Sequence, residues 1–180
     1  MTMATARWVV MGVCGSGKSR VGALLAAALG ARFLEGDDFH PPANVDKMRA
    51  GIALNDEDRA GWLDRLAAEI ASAAAAGEDL VLSCSALKRR YRDRLRAADA
   101  ALRFVHLEGE RELIARRMLA RVGHYMPLSL LESQLAALEA LQDDEAGLRL
   151  DIRQEPAQLV AEILGQKRMR GHSAPAAPAQ

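Results

Sequence analysis

Residues 12–19 read Gly-Val-Cys-Gly-Ser-Gly-Lys-Ser, a complete G-x-x-x-x-G-K-[ST] phosphate-binding loop. Such a loop works only between a strand and a helix, so it constrains the chain on both sides. The apolar run Trp8–Met11 predicts the strand, and Lys18–Leu29 predicts the helix. Glycines let the backbone wrap a phosphate chain with successive N–H groups turned toward its oxygens. Gly12, Val13, Cys14, Gly15, Ser16 and Gly17 are therefore candidate nucleotide contacts. Lys18 reaches β and γ phosphates in such a loop, and the Ser19 hydroxyl ligates Mg²⁺. Ser19 also opens a helix, whose N-terminal dipole favours an anion. The chain lacks the Asn-Lys-x-Asp guanine reader of most GTPases, so ATP with Mg²⁺ is the expected cofactor pair.

Short apolar runs alternate with amphipathic stretches along the rest of the chain. Strands are predicted at 8–11, 32–34, 80–83, 103–107 and 148–152. Helices are predicted at 18–29, 43–50, 56–76, 87–97, 111–121, 128–141 and 156–167. This alternation gives a three-layer α/β fold, a five-stranded parallel sheet covered by helices on both faces. Asn55 is a predicted helix cap, and Gly77 a predicted helix stop. Residues 1–170 form a single predicted domain, with an Ala/Pro-rich disordered tail at 171–180. The Gly- and Pro-containing stretch 122–127 follows several arginines, and a mobile lid is predicted at about 121–137.

Composition narrows the partners. Lys plus Arg and Asp plus Glu each number 24, so the formal charge is zero. A nucleic-acid surface would need a basic excess. No apolar stretch approaches the ~20 residues of a membrane span, and no signal core precedes the first strand. Two cysteines make no disulfide framework. A cytoplasmic protein with a small-molecule substrate is expected, with neither nucleic acid nor membrane as partner.

The acceptor of a phosphoryl group should lie at the carboxyl ends of the strands, near the loop. There the second strand runs into Leu34-Glu35-Gly36-Asp37-Asp38-Phe39-His40. One acid can take the proton of an attacking hydroxyl, and another can hold a water on Mg²⁺. Gly36 permits close approach. The alternative for Asp37-Asp38 is a solvated turn or helix cap.

Several runs resemble the small, phosphate-loop gluconokinases. They are Met11–Ser19, Leu34–Pro41 with Asn44 and Lys47-Met48, and Leu54–Arg59 with Trp62-Leu63. The most specific are Cys84–Arg96 and Gly123–Met126, followed by Ser133-Gln134 and Leu138-Glu139. The resemblance implies a nucleoside-monophosphate-kinase-like P-loop fold, often a homodimer, that uses ATP to phosphorylate the 6-hydroxyl of D-gluconate. The chain departs from the family pattern at Cys14, Glu35, Gly61, Leu135 and Ala140.

On that reading Lys18 stabilises the transferred charge and Asp37 is the base. Glu35, through water, stands in for the acid missing at the end of the third strand. His40 lines the acceptor pocket. Arg59, Lys88 and Arg92 are candidates for the substrate carboxylate, because a guanidinium fork binds both oxygens. Arg117 and Arg121 flank the lid, and Arg121, abutting it, is favoured on the migrating phosphoryl group. His124 and Gln134 close over the acceptor. The competing reading makes Lys88–Arg96 and Arg111–Arg121 solvated helix faces. The alternative functions are a shikimate kinase or other small-metabolite kinase, or a nucleotide-dependent regulatory protein without transferase activity.

Overall fold

The computed structural model describes residues 5–121 and 127–170. The expected lid residues 122–126, His124 among them, and the tail from 171 lie outside the described residues. The elements follow in the order β1 (Arg7–Met11), α1 (Lys18–Leu29), β2 (Arg32–Glu35), α2 (Pro42–Arg49) and α3 (Asp56–Ala76). Then come β3 (Leu80–Ser83), α4 (Arg89–Ala98), β4 (Arg103–Glu108), α5 (Arg111–Leu119), α6 (Leu128–Ala137), β5 (Gly147–Asp151) and α7 (Pro156–Arg170).

The five strands are parallel in the order β2-β3-β1-β4-β5. Helices on both faces explain why β1 is buried throughout. Its alternation splits the core: Trp8 and Val10 pack with α1, α5 and α7, while Val9 and Met11 pack with α3 and α4. β1 lies centrally between β3 and β4, so the loop after it opens at the point where strand order reverses, where such sheets bind ligands.

α3 begins and ends as its sequence predicts. Asp58 N–H donates to Asn55 Oδ1 at 2.8 Å, and Asn55 N–H donates to Asp58 Oδ2 at 3.0 Å. Gly77 closes the helix at φ 65°. Three other helices are shorter than predicted, α5 by ending at Leu119. α4 starts at Arg89 because Ala86 sits at φ 43° and Lys88 is extended. α6 ends at Ala137 because Leu138 is extended and Glu139 N–H donates to Leu87 O at 2.8 Å. A short 3₁₀ turn, Gly36–Phe39, adds to the predicted elements.

Candidate active site

The phosphate loop leaves β1 through Gly12, whose φ is 148°. A Cβ there would lie 2.7 Å from Ser16 Oγ and 2.9 Å from Leu107 O, so only glycine fits. Gly17 at φ 95° then turns the chain into α1, whose first-turn N–H groups have no helical partner. Ser16 Oγ is buried and has no hydrogen-bond partner among the described residues. Turned glycines, a helix N-terminus and an orphaned hydroxyl together fit a phosphate chain. Lys18 Nζ meanwhile donates to Val13 O at 2.9 Å, and Gln134 Oε1 accepts the Cys14 N–H at 2.7 Å. The Cys14 thiol packs 3.7 Å from Met118 Sδ; its burial pushes its pKa up, against the pull of Lys18.

One cleft joins this loop to the predicted acceptor side. Gly15, Lys18 and Ser19 line it, facing Asp37, His40 and Arg59, with Arg121 and Gln134 at its border. α3 builds the acceptor wall. Trp62 Nε1 donates to Gly36 O at 2.7 Å, which holds the 3₁₀ turn. Gly36 is needed there, because a Cβ would collide with the Ser83 carbonyl oxygen. The turn leaves Asp37 exposed at the cleft.

His40 stacks on Trp62 with ring centroids 4.2 Å apart and planes at 13°. Its Nδ1 lies 3.3 Å from Asn44 Nδ2, and the same amide also donates to Asp58 O at 2.8 Å. An amide nitrogen can only donate, so Nδ1 accepts and the neutral ring carries its proton on Nε2. That nitrogen lies 4.0 Å from Asp37 Oδ1. Burial lowers the His40 pKa to about 4; Asp37 opposes the shift and Arg59 adds to it.

Arg59 is 7 % exposed. Its Cζ lies 5.8 Å over the Tyr91 ring, and it pairs with no carboxylate among the described residues. A buried cation without a counter-ion is costly, so this one fits an anionic ligand. Arg59 also lines an adjoining cavity with Lys88 and Tyr91, where Lys88 Nζ is 3.0 Å from Asp56 Oδ1.

A second cavity of about 310 Å³ lies on the far side of the loop, lined by Arg20, Arg117, Arg121, Gln154 and Pro156 among others. Arg117 Nη2 donates to Ile152 O at 2.6 Å, which ties α5 to the end of β5. Arg121 lines both spaces.

Two expectations are corrected. Arg92 is fully buried and unavailable to a ligand. Its Nε and Nη2 bind the Glu145 carboxylate at 2.7 and 2.8 Å, and it donates to Ala86 O and Glu139 O, both at 3.0 Å. Glu35 does not line the cleft: its carboxylate accepts from the Ser83 hydroxyl on the neighbouring strand. Met48, Leu54 and Ser85 line the cleft in addition to the predicted residues. All three are legible in sequence only as members of runs shared with the family, Lys47-Met48, Leu54–Arg59 and Cys84–Arg96. Glu145, the partner of Arg92, looks in sequence like any loop acid.

Residues 8–141 match the family described as an AAA domain. The chain is 47% identical over 156 residues to a gluconokinase of Gluconobacter oxydans, covering 87% of this chain and 88% of that one. It is 46% identical over 156 residues to the thermosensitive gluconokinase of Escherichia coli, covering 86% and 83%. The crystal structure of a gluconokinase from Sinorhizobium meliloti superposes with a TM-score of 0.85 at 43% identity, covering 95% and 99%. With this identity and this fold shared over nearly the whole length, the chain belongs to the gluconokinase family.

Proposed function

We propose that the chain transfers the γ-phosphoryl group of ATP to the 6-hydroxyl of D-gluconate, giving 6-phosphogluconate and ADP. The observation that carries this reading is the buried Arg59 guanidinium, without a carboxylate partner among the described residues, in the same cleft as Asp37 and the phosphate loop. An open-chain sugar acid offers what that cleft lacks, a carboxylate for Arg59 and a hydroxyl for Asp37. Asp37 orients the hydroxyl and collects its proton as the O–P bond forms. Neutral His40, its tautomer set by Asn44, donates through Nε2 to a substrate oxygen. Lys88 supplements the positive field at the carboxylate end.

The loop N–H groups other than that of Cys14, which Gln134 accepts, hold the phosphates with Lys18, and Arg121, between the two cavities, neutralises charge on the phosphoryl group as it moves. Arg117 and Gln154 border the space for the base. Ser19 would hold Mg²⁺, which when bound supplies charge neutralisation between the phosphates. Among the described residues no group of three or more His, Cys, Asp or Glu side chains can hold a metal. This suits an ion held mainly by phosphate and water. Glu35 has no part in this scheme.

The shikimate-type and regulatory alternatives are not favoured, given the identity to named gluconokinases. A homodimer in the cytoplasm goes with the reading; sedimentation tests the dimer, and fractionation of cells tests the location. The deciding experiment is ADP release with Mg·ATP against gluconate, shikimate, nucleoside monophosphates and no acceptor. Turnover with gluconate alone, yielding 6-phosphogluconate, is expected. ATP turnover indifferent to gluconate would refute the assignment.

A further inference from the structure

We propose that the Gln134 carboxamide, oriented by the phosphate loop, donates a hydrogen bond to the phosphoryl group being transferred. Gln134 stands on α6, half-buried, and its side chain borders the cleft. Its Oε1 accepts the Cys14 N–H at 2.7 Å. A backbone N–H can only donate, so the loop dictates which end of the amide faces it. The planar group must then turn its NH₂ away from Cys14. Among the described residues that NH₂ has no acceptor. Two donors are thus held in place in a cleft bordered by Lys18, Arg121 and Asp37.

The anchor decides which oxygen they serve. Gln134 is tied to the third residue of the phosphate loop, so it keeps station with whatever the loop holds. The groups suited to the acceptor, Asp37, His40 and Arg59, come from the segment between β2 and α3 and from α3 itself. A pre-aimed neutral donor at the phosphoryl oxygens strengthens as charge shifts in the transition state, without adding another cation. This inference rests on ATP-dependent phosphoryl transfer in this cleft, and not on which hydroxyl receives the group.

Two variants separate donation from anchoring. Gln134→Glu keeps an oxygen for Cys14 but replaces the NH₂ donors. Gln134→Met keeps the length and removes both functions. Calorimetry without acceptor compares ADP with the β,γ-imido analogue of ATP. In both variants the analogue should lose about ten-fold in affinity relative to ADP, and kcat should fall about 10²-fold. The KM for the acceptor and the Kd for ADP should stay within about two-fold.

A Gln134→Glu enzyme with wild-type kcat and analogue affinity overturns the proposal, leaving Gln134 a tether between α6 and the loop. Loss of ADP affinity in Gln134→Met alone overturns it in the same way. A loss confined to the acceptor KM overturns it by assigning the donors to the acceptor. Failure of the gluconate reading would look different: wild-type protein would not turn over gluconate, while the contrast between analogue and ADP persisted.

Discussion

Replacing Arg92 by methionine separates a buried strut from a substrate ligand. Arg92 and the Glu145 side chain are both at 0% exposure. The guanidinium makes two bonds to Glu145, at 2.7 and 2.8 Å, and reaches four carbonyl oxygens, those of Ala86, Leu87, Glu139 and Ala140, at 3.0 to 3.4 Å. Removing one partner of a buried ion pair costs about 3–5 kcal/mol. Glu145 keeps Arg96 and the Gln142 N–H, at 3.0 Å, so its charge is not stranded. The cost should therefore fall near the lower end, about 3 kcal/mol. At a urea dependence of about 2 kcal/mol per molar, the unfolding midpoint should drop by about 1.5 M. A domain stable by about 5–15 kcal/mol survives that loss. Gluconate KM, measured below the transition, should stay within about two-fold of wild type. An unchanged midpoint with a KM raised about ten-fold or more would refute the structural assignment and return Arg92 to the substrate.

Arg59→Met should raise gluconate KM about 100-fold by removing a charge-assisted fork, while Tm in the absence of substrate holds or rises because an uncompensated buried charge is gone; a lowered Tm with normal KM would contradict the role. Burial holds His40 and His106, the latter buried on β4, near pKa 4, against an ordinary value of 6.5. The unfolded chain therefore binds more protons between those limits, and stability should fall as pH drops from about 6.5 toward 4. Urea midpoints across that range should flatten in His40→Gln or His106→Gln; an unaltered slope in both argues against it. Gly36→Ala must push the 3₁₀ turn away from the Ser83 carbonyl oxygen. It should lower kcat more than it weakens ADP binding, since Asp37 moves and the phosphate loop does not; equal losses would count against that separation.

The sheet and the phosphate loop were legible because their signals are local. An apolar run of four residues before a glycine-rich loop needs no tertiary knowledge, and neither does the Asn55–Asp58 cap. The arginines were not legible in this way. Arg59 and Arg92 look alike in sequence, each on a helix among charged neighbours. What separates them is a partner: Glu145 lies 53 residues from Arg92 in the chain, whereas Arg59 lies over the Tyr91 ring and forms no carboxylate ion pair among the described residues. Glu35 stands outside the cleft lining for a similar reason. Its fate is set by register, which places Ser83 beside it on β3. The helix ends at Lys88 and Leu138 were misplaced because the two segments bond to one another rather than continuing their helices.

That junction has a mechanical consequence. Arg92 grips the carbonyls on both sides of it, and Glu139 receives the Arg89 N–H at 2.6 Å, so the C-terminal end of α6 is a pivot. At about 1.5 Å per residue, Leu128 stands about 15 Å from Leu138 and Gln134 about 6 Å. A swing of α6 about this end is geared down by roughly that ratio, so about 3 Å of travel at Leu128 becomes about 1.2 Å at Gln134. Added to a 2.7 Å hydrogen bond, that is enough to break it. The short lever arm makes the bond between α6 and the phosphate loop a latch that holds through small excursions of the far end of the helix and releases only on a wider swing.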